Sequence, residues 1–153
     1  MVMISMAPVI SNGMNATFSF TKLVVDDLEK MSEFYQEAYG LKPFDRVQAE
    51  IGPDPIDEIM LGVDSAYGPG SIMLLKFVDR PGPKPGATIL GFHTDDLESL
   101  LERVVASGGS VHAAIKESDV APVRVAFTVD PEGNHAECVQ MTGAVPGFSS
   151  GAD

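Results

Sequence analysis

The stretch Ile89–Gly109, with the sequence ILGFHTDDLESLLERVVASGG, decides the fold because the chain contains a second version of it. That version is Phe20–Gly40, FTKLVVDDLEKMSEFYQEAYG, which lies 69 residues earlier and has six identical residues at matching positions. In each version an apolar, strand-like run leads into Asp-Asp-Leu-Glu, and a helical pattern that ends at glycine follows. Internal similarity of this kind predicts two copies of one module that contains a strand and a helix.

Each copy carries the residues that typically begin and end a helix. In the first copy Asp26 fits an N-cap, and Glu29 three residues later would complete a capping box. Apolar residues then recur at helical spacing as far as Gly40, a residue type that readily adopts the left-handed backbone of a helix C-terminus. We therefore interpret Asp-Asp-Leu-Glu as a helix start in both copies, and not as a catalytic acid pair.

Strand-like segments, rich in β-branched and aromatic residues, surround both helices. The predicted strands are residues 17–25, 41–47, 56–63 and 71–78 in the first half, and 88–94, 110–114, 123–129 and 134–141 in the second, with a turn or loop at 51–55. Each half therefore has the order βαβββ, which is too small to close a core alone. The predicted fold is α+β, with two tandem βαβββ modules that form a curved mixed sheet around a shared cavity.

The same pattern predicts how the chain is divided. The expected parts are an N-terminal extension at 1–15, a first module at 16–78, a linker at 79–86, a second module at 87–142 and a tail at 143–153. The linker contains three prolines and two glycines, which cannot continue a sheet ladder. The extension and the tail are expected to be flexible.

Composition narrows the class of partner. The chain has 22 acidic and 10 basic residues and a net charge of -12, which argues against nucleic acid and anionic membrane surfaces as partners. Cys138 is the one cysteine, so no intramolecular disulfide can form and a reducing compartment is expected. The sequence has no apolar run of membrane-spanning length, and residues 1–15 lack the basic start of a signal peptide. We expect a cytoplasmic protein.

The sequence resembles the vicinal oxygen chelate superfamily of glyoxalases, bleomycin- and fosfomycin-resistance proteins and extradiol dioxygenases, over about residues 17–142. The resemblance rests on Val25-Asp26-Asp27-Leu28, Phe34-Tyr35 and Gly40-Leu41 in the first module, and on Asp95-Asp96-Leu97, Gly108-Gly109 and the run 126–134, AFTVDPEGN, followed by Glu137, in the second. It implies a small-molecule ligand and a homodimer.

In that family the first and last strands of each module hold a divalent metal through imidazole and carboxylate donors, typically His, Glu, His and Glu. The resemblance places these positions at Phe20, Leu74, Ile89 and Glu137 of this sequence. Three of the four lack a donor atom, so the usual metal site is expected to be lost and no cofactor is expected. A displaced metal site from His93, His135 and Glu137 stays open as an alternative.

Glu137 is the strongest single candidate for chemistry. Its apolar neighbours predict a buried strand, in which a carboxylate needs a partner or a raised pKa. Such a group could act as a general base with Lys22 or His93 assisting, and the alternative is an ion pair with Lys22 or Lys76. Cys138 has the opposite strand parity and is expected to pack against a helix.

The positions without donors would line an apolar pocket formed by Phe20, Leu74 and Ile89. Candidate polar contacts for its ligand are Lys76, His135 and Arg124, although Arg124 could equally be a surface residue. Three functions follow: a protein that binds a hydrophobic small molecule, a metal-independent lyase or isomerase with Glu137 as the base, and a metal-dependent glyoxalase or dioxygenase with a displaced site. Whether any reaction is catalysed stays open at this point.

Overall fold

The structure is a computed structural model and describes residues 16–64 and 68–144. The described elements are, in chain order, β1 (Phe20–Val24), α1 (Leu28–Tyr39), β2 (Lys42–Ile51), β3 (Asp54–Gly62), β4 (Ser71–Phe77), β5 (Ile89–His93), α2 (Leu97–Ala106), β6 (Ser110–Glu117), β7 (Val123–Val129) and β8 (His135–Met141). The order βαβββ occurs twice, which confirms the predicted module repeat. The predictions for residues 1–15 and 145–153 lie outside the described residues. Neither described helix is long and apolar enough to span a membrane.

The strands form two four-stranded sheets, in the orders β1-β4-β3-β2 and β5-β8-β7-β6. In each sheet the first strand of the module is parallel to the last, and the other neighbours are antiparallel. The predicted α+β fold of tandem βαβββ modules is therefore confirmed. The chain divides into two compact units between Lys84 and Pro85, inside the segment predicted as a linker. The shared cavity stays a prediction.

The helix caps lie one residue later than the sequence pattern predicted. Asp27 caps α1 by accepting a hydrogen bond from the Lys30 amide at 3.0 Å. Asp96 caps α2 in the same way, with the Ser99 amide as the donor. Asp26 instead accepts a hydrogen bond from the Gly82 amide at 2.6 Å, and so ties the end of β1 to the predicted linker. Gly40 ends α1 with a φ of 71°, as predicted.

Each helix buries its apolar stripe on one face of its own sheet. The buried residues of α1 include Leu28, Met31, Phe34, Tyr35 and Ala38, and those of α2 are Leu97, Leu100 and Val104. Fully burying a side chain of this size contributes about 1.5–3 kcal/mol. In each module the helix therefore covers one face of the sheet and leaves the other face uncovered by that helix.

Two predicted boundaries were wrong. The predicted loop at residues 51–55 is a tight hairpin, because β2 continues to Ile51 and β3 begins at Asp54. Gly52 adopts a positive φ of 59° in this turn, which explains why glycine is placed there. Strand β6 is longer than predicted and ends at Glu117, with register shifts that mark bulges.

Candidate functional site

The second unit presents one sheet face that its own helix does not cover. Residues that lie side by side in neighbouring strands project to the same face. Glu137 lies between Gly91 of β5 and Phe127 of β7, and His135 lies between Ile89 and Val129. We refer to this surface as the open face; its residues are Ile89, Gly91, His93, Val125, Phe127, Val129, His135, Glu137 and Val139.

Burial distinguishes the open face from the opposite one. The alternate residues of β7 and β8 are closed to water, and they include Ala126, Ala136 and Cys138. On the open face the β7 and β8 side chains are only half-buried, and Ile89 is 58% exposed. The face therefore offers accessible apolar surface in the centre of a sheet. Cys138 packs away from it, as its strand parity predicted.

The turn between β7 and β8 sets which residues reach the open face. Asp130 accepts hydrogen bonds from the amides of Glu132 and Asn134 through one carboxylate oxygen, and from the Asn134 side chain through the other. Gly133 adopts a φ of 97°, which favours glycine. The run that carried the resemblance in the sequence thus fixes the start of β8 at His135.

Glu137 occupies the middle of the open face and has space beside it. A Cβ added to Gly91 would meet no atom within 4 Å, so the neighbouring position in β5 is empty of side-chain volume. The Glu137 side chain is half-buried, and among the described residues no hydrogen bond or ion pair engages its carboxylate. The alternative, an ion pair of Glu137 with Lys22 or Lys76, stays a prediction.

His93 and His135 both lie on the open face with Glu137, as strand parity predicted. They do not assemble into a cluster of metal ligands: no group of three His, Cys, Asp or Glu within residues 16–64 and 68–144 could hold an ion. His112 of β6, which strand patterns alone did not single out, has its ring centre 4.7 Å from that of His135. The one sequence signal for this contact is strand parity: His112 lies two residues after Ser110, which lies beside Val129 of the open face.

A cavity of about 370 Å³ adjoins the open face on the β6–β7 side. It is lined by Ala113, Ala114, Lys116, Glu117, Ser118, Asp119, Val120, Val125 and Phe127. Val125 and Phe127 belong to both the cavity and the open face, so one ligand could contact both. The volume falls within the range of about 300–1,000 Å³ that is typical of small-molecule sites.

Lys22 is engaged in the first unit by a glutamate that the sequence analysis overlooked. Its ammonium group lies 2.5 Å from the Glu58 carboxylate, whose side chain is 4% exposed. The same ammonium lies 5.9 Å from the centre of the Phe20 ring, within the range of a cation–π contact. The Lys22 ammonium therefore neutralises a buried carboxylate of its own sheet.

The prediction that Leu74 and Lys76 share a face with Phe20 and Lys22 was wrong. Phe20 lies beside Ser71 and Lys22 beside Met73, whereas Leu74 lies beside Leu23. Leu74 also lies beside Ile59 of β3, and Ile59 lies beside Arg46 of β2. Arg46 donates a hydrogen bond to Glu29 of α1, so this face of the sheet is the one that carries the helix. Leu74 is therefore fully buried on the helix-covered face, where no ligand can reach it.

Lys76 lies on that same face, at the edge of a polar groove of about 810 Å³. The groove is lined by Gln48, Ala49, Glu50, Pro55, Ile56, Asp57, Lys76 and Val78. Its main carboxylate is already committed, because Arg46 donates two hydrogen bonds to Asp57 at 3.1 and 2.9 Å. These bonds hold the pKa of Asp57 below its usual value. The groove has more polar than apolar surface and is therefore a weaker candidate for a hydrophobic ligand.

Arg124 does not project onto the open face, because it alternates with Val123 and Val125 along β7. Its guanidinium pairs with Glu98 of α2 and lies 3.5 Å from the Gln140 amide oxygen. The contact with Arg124 lowers the pKa of Glu98. Gln140 also accepts a hydrogen bond from the Leu97 amide at the start of α2. Arg124 thus contacts α2 and helps to hold this helix on its sheet, on the face opposite to the one where a ligand contact was predicted.

The register also corrects one position of the expected metal site. Ser71 and His135 are equivalent, since they lie beside the matching residues Phe20 and Ile89. The counterpart of Glu137 in the first module is therefore Met73, and not Leu74. The four positions are then Phe20, Met73, Ile89 and Glu137. They supply one carboxylate and one thioether, a donor set that does not suit the divalent ions held by imidazole and carboxylate.

Comparisons with known proteins agree with this architecture. The family model described as "Glyoxalase/Bleomycin resistance protein/Dioxygenase superfamily" matches residues 17–138. A search of curated proteins found no match. Among solved structures, a glyoxalase family protein from Bacillus cereus has a TM-score of 0.70 at 16% identity and covers 88% of this chain and 100% of its own.

Two further structures share the fold. Fosfomycin resistance protein FosX from Listeria monocytogenes has a TM-score of 0.62 at 15% identity, covering 86% of this chain and 97% of its own. Glyoxalase I from Zea mays has a TM-score of 0.60 at 20% identity, covering 82% of this chain and 44% of its own, so this chain spans less than half of that protein. By the family match and the tandem βαβββ fold, this chain belongs to the glyoxalase/bleomycin resistance protein/dioxygenase superfamily.

Proposed function

We propose that this protein binds a hydrophobic small molecule that carries a cationic or N–H donor group, on the open face of the second sheet and without the family's divalent metal. The observation that carries the proposal is the position of Glu137. Its carboxylate has no partner in the described part of the chain, and it lies between the Phe127 ring and the empty space at Gly91.

The apolar part of the ligand would contact the side chains around Glu137. Ile89 is 58% exposed, and Val125 and Phe127 line both the open face and the adjoining cavity. Covering apolar surface contributes about 25 cal/mol per Å², so burial of such side chains could supply most of the affinity for an aromatic ring. A few polar groups then set the orientation of the ligand.

The polar part of the ligand follows from charge. Besides Glu137, the adjoining cavity has Glu117 and Asp119 against one cation, Lys116. The whole chain carries a net charge of -12, which repels anions over a longer range. A carboxylate that accepts a hydrogen bond from a charged donor gains roughly twice the energy of a neutral pair. Cationic or N–H-bearing ligands are therefore favoured over carboxylic acids.

Loss of the metal is part of the proposal and rests on the donor set. Of the four family positions only Glu137 supplies an oxygen or nitrogen donor, and a single carboxylate does not retain a catalytic divalent ion against water. The ligand would then contact side chains directly. A homodimer is also proposed, because related pockets lie between subunits, and light scattering after gel filtration tests it.

A second candidate function uses the same carboxylate as a general base in a metal-independent lyase or isomerase. The absence of a partner for Glu137 in residues 16–64 and 68–144 favours it, because a base must be free to accept a proton. His93 lies on the same face and could assist. Lys22 is not supported as an assistant, since its ammonium group is held by Glu58.

A matched pair of probes tests the binding proposal. Naphthylmethylamine and naphthoic acid offer one apolar ring system with opposite charges, and calorimetric titration of EDTA-treated protein compares them. We expect the amine to bind more tightly, Glu137→Gln to remove that preference, and Gly91→Val to weaken both probes. The control Val78→Ala alters an exposed residue of the first unit and should change neither affinity. Equal affinities in wild-type protein, or an unchanged preference in Glu137→Gln, would contradict the proposal.

A further inference from the structure

His112 and His135 form a histidine pair across one strand of the second sheet. His135 begins β8, and β7 separates it from β6, on which His112 lies. The two rings nevertheless approach to 4.7 Å between their centres, with an angle of 37° between their planes. Side chains on strands two apart are separated by about 9.5 Å at the backbone, so both rings lean over the intervening strand.

A bulge in β6 accounts for the approach. The register of β6 against β7 shifts between Val111 and Ala113, so His112 is the extra residue opposite Thr128 and Phe127. Bulges bend a strand and re-aim side chains. His112 is exposed and His135 is half-buried. The pair is thus accessible from solvent.

We propose that the histidine pair is a binding site for a divalent ion of the Zn²⁺, Ni²⁺ and Cu²⁺ class. An imidazole-bound ion lies about 2.0–2.1 Å from the nitrogen and hence about 3.2 Å from the ring centre. Two rings that share an ion at an angle of about 95° then have centres about 4.7 Å apart, between the square-planar and tetrahedral angles. The observed separation of 4.7 Å matches this value, and binding would require one nitrogen of each ring to turn towards the ion.

The ion class follows from the ligands. Neutral imidazole suits Zn²⁺, Ni²⁺ and Cu²⁺, whereas Mg²⁺ and Ca²⁺ prefer oxygen ligands. No third side chain joins the pair among the described residues, so water or a bound small molecule would fill the remaining positions. The site is separate from the four positions implied by the family, because β6 contributes none of them. It does not depend on the proposed function.

Calorimetric titration of tag-free, EDTA-treated and dialysed protein with NiCl₂ tests the site, with MgCl₂ as the control ion. We expect one saturable Ni²⁺ site in wild-type protein and no Mg²⁺ binding. His112→Ala and His135→Gln should each weaken Ni²⁺ binding about tenfold or more, which is at least the loss seen when an outer-shell partner is removed.

His93→Ala is the matched control, since His93 lies on the same face but outside the pair. The affinity of this variant for Ni²⁺ should stay within about twofold of the wild-type value. The proposal is overturned if wild-type protein shows no saturable Ni²⁺ binding, if His112→Ala binds as wild type does, or if His93→Ala loses binding equally. Binding of naphthylmethylamine in EDTA is measured without any ion, so the two proposals can fail independently.

Discussion

Replacing Lys22 with methionine should destabilise the first unit, because Lys22 is the ion-pair partner of the buried Glu58. The two groups lie 2.5 Å apart, and their side chains are 39% and 4% exposed, respectively. Removing one partner of a fully buried pair costs about 3–5 kcal/mol, whereas exposed pairs contribute about 0.2–1 kcal/mol. Because water reaches the lysine but not the glutamate, we expect Lys22→Met to lower the free energy of unfolding by about 2 kcal/mol.

The assay is urea denaturation followed by far-UV circular dichroism, with a double-mutant cycle. Adding Glu58→Met to Lys22→Met removes the uncompensated charge, and the double variant should recover to within about 1 kcal/mol of wild type. Lys76→Met serves as the control, since Lys76 is exposed on the opposite face of the same sheet and should change stability by less than about 0.5 kcal/mol.

A loss in Lys22→Met no larger than in Lys76→Met would refute the reasoning. So would a double variant that is less stable than either single variant. In both cases Lys22 would not be committed to Glu58, and its earlier assignment as a catalytic assistant would regain support.

Three further predictions concern the caps, the acid limb of stability and the open face. Asp96→Ala should lower the free energy of unfolding by about 1 kcal/mol through loss of the α2 cap, while Asp95→Ala should have a smaller effect, and thermal denaturation compares them. Arg46 holds the pKa of Asp57 below the ordinary 3.8, so the pair stabilises the fold fully above pH 3.8 and less as the pH falls through the folded pKa. The difference in unfolding free energy between wild type and Arg46→Met should therefore shrink below about pH 4. Urea titrations at several pH values measure this difference, and a constant difference would contradict the prediction. Gly91→Val should leave thermal stability nearly unchanged, because its Cβ meets nothing within 4 Å, yet should weaken naphthylmethylamine binding by filling the space beside Glu137.

The repeat, the helix ends and the faces of β8 could be predicted from the sequence because each depends on local patterns. Asp-Asp-Leu-Glu followed by an apolar stripe specifies a capped helix in any context. Strand parity within one segment correctly separated His135 and Glu137 from Cys138. The N-cap was misplaced by one residue because Asp26 and Asp27 are equally suited to the role, and the tertiary contact of Asp26 with Gly82 distinguishes them.

The register between neighbouring strands could not be predicted, because a difference of one residue before β8 changes which residues are equivalent in the two modules. Leu74 becomes the counterpart of Glu137 when β4 and β8 are aligned on the glycines that precede them, Gly70 and Gly133. However, β4 begins directly after Gly70, whereas Asn134 intervenes before β8 begins at His135. A slip of one residue moves every side chain to the other face. The alignment therefore indicated Leu74, whereas the register of the strands makes Met73 the counterpart of Glu137.

Contacts between strands were missed for the same reason. Glu58 meets Lys22 only because β4 places β1 and β3 on either side of it, and neither segment alone indicates the pair. The contact between His112 and His135 depends on a bulge in β6, which has no signature in residues 110–117. Both features belong to tertiary structure.

The most direct test of the central claim is the location of a bound ligand in metal-free protein. We would record amide chemical-shift changes in ¹⁵N-labelled, EDTA-treated protein on titration with naphthylmethylamine. The account predicts that the largest changes occur on the open face, at Gly91, Phe127 and Glu137. Changes centred on the groove around Gln48 and Lys76, or binding that occurs only after a divalent ion is added, would contradict it.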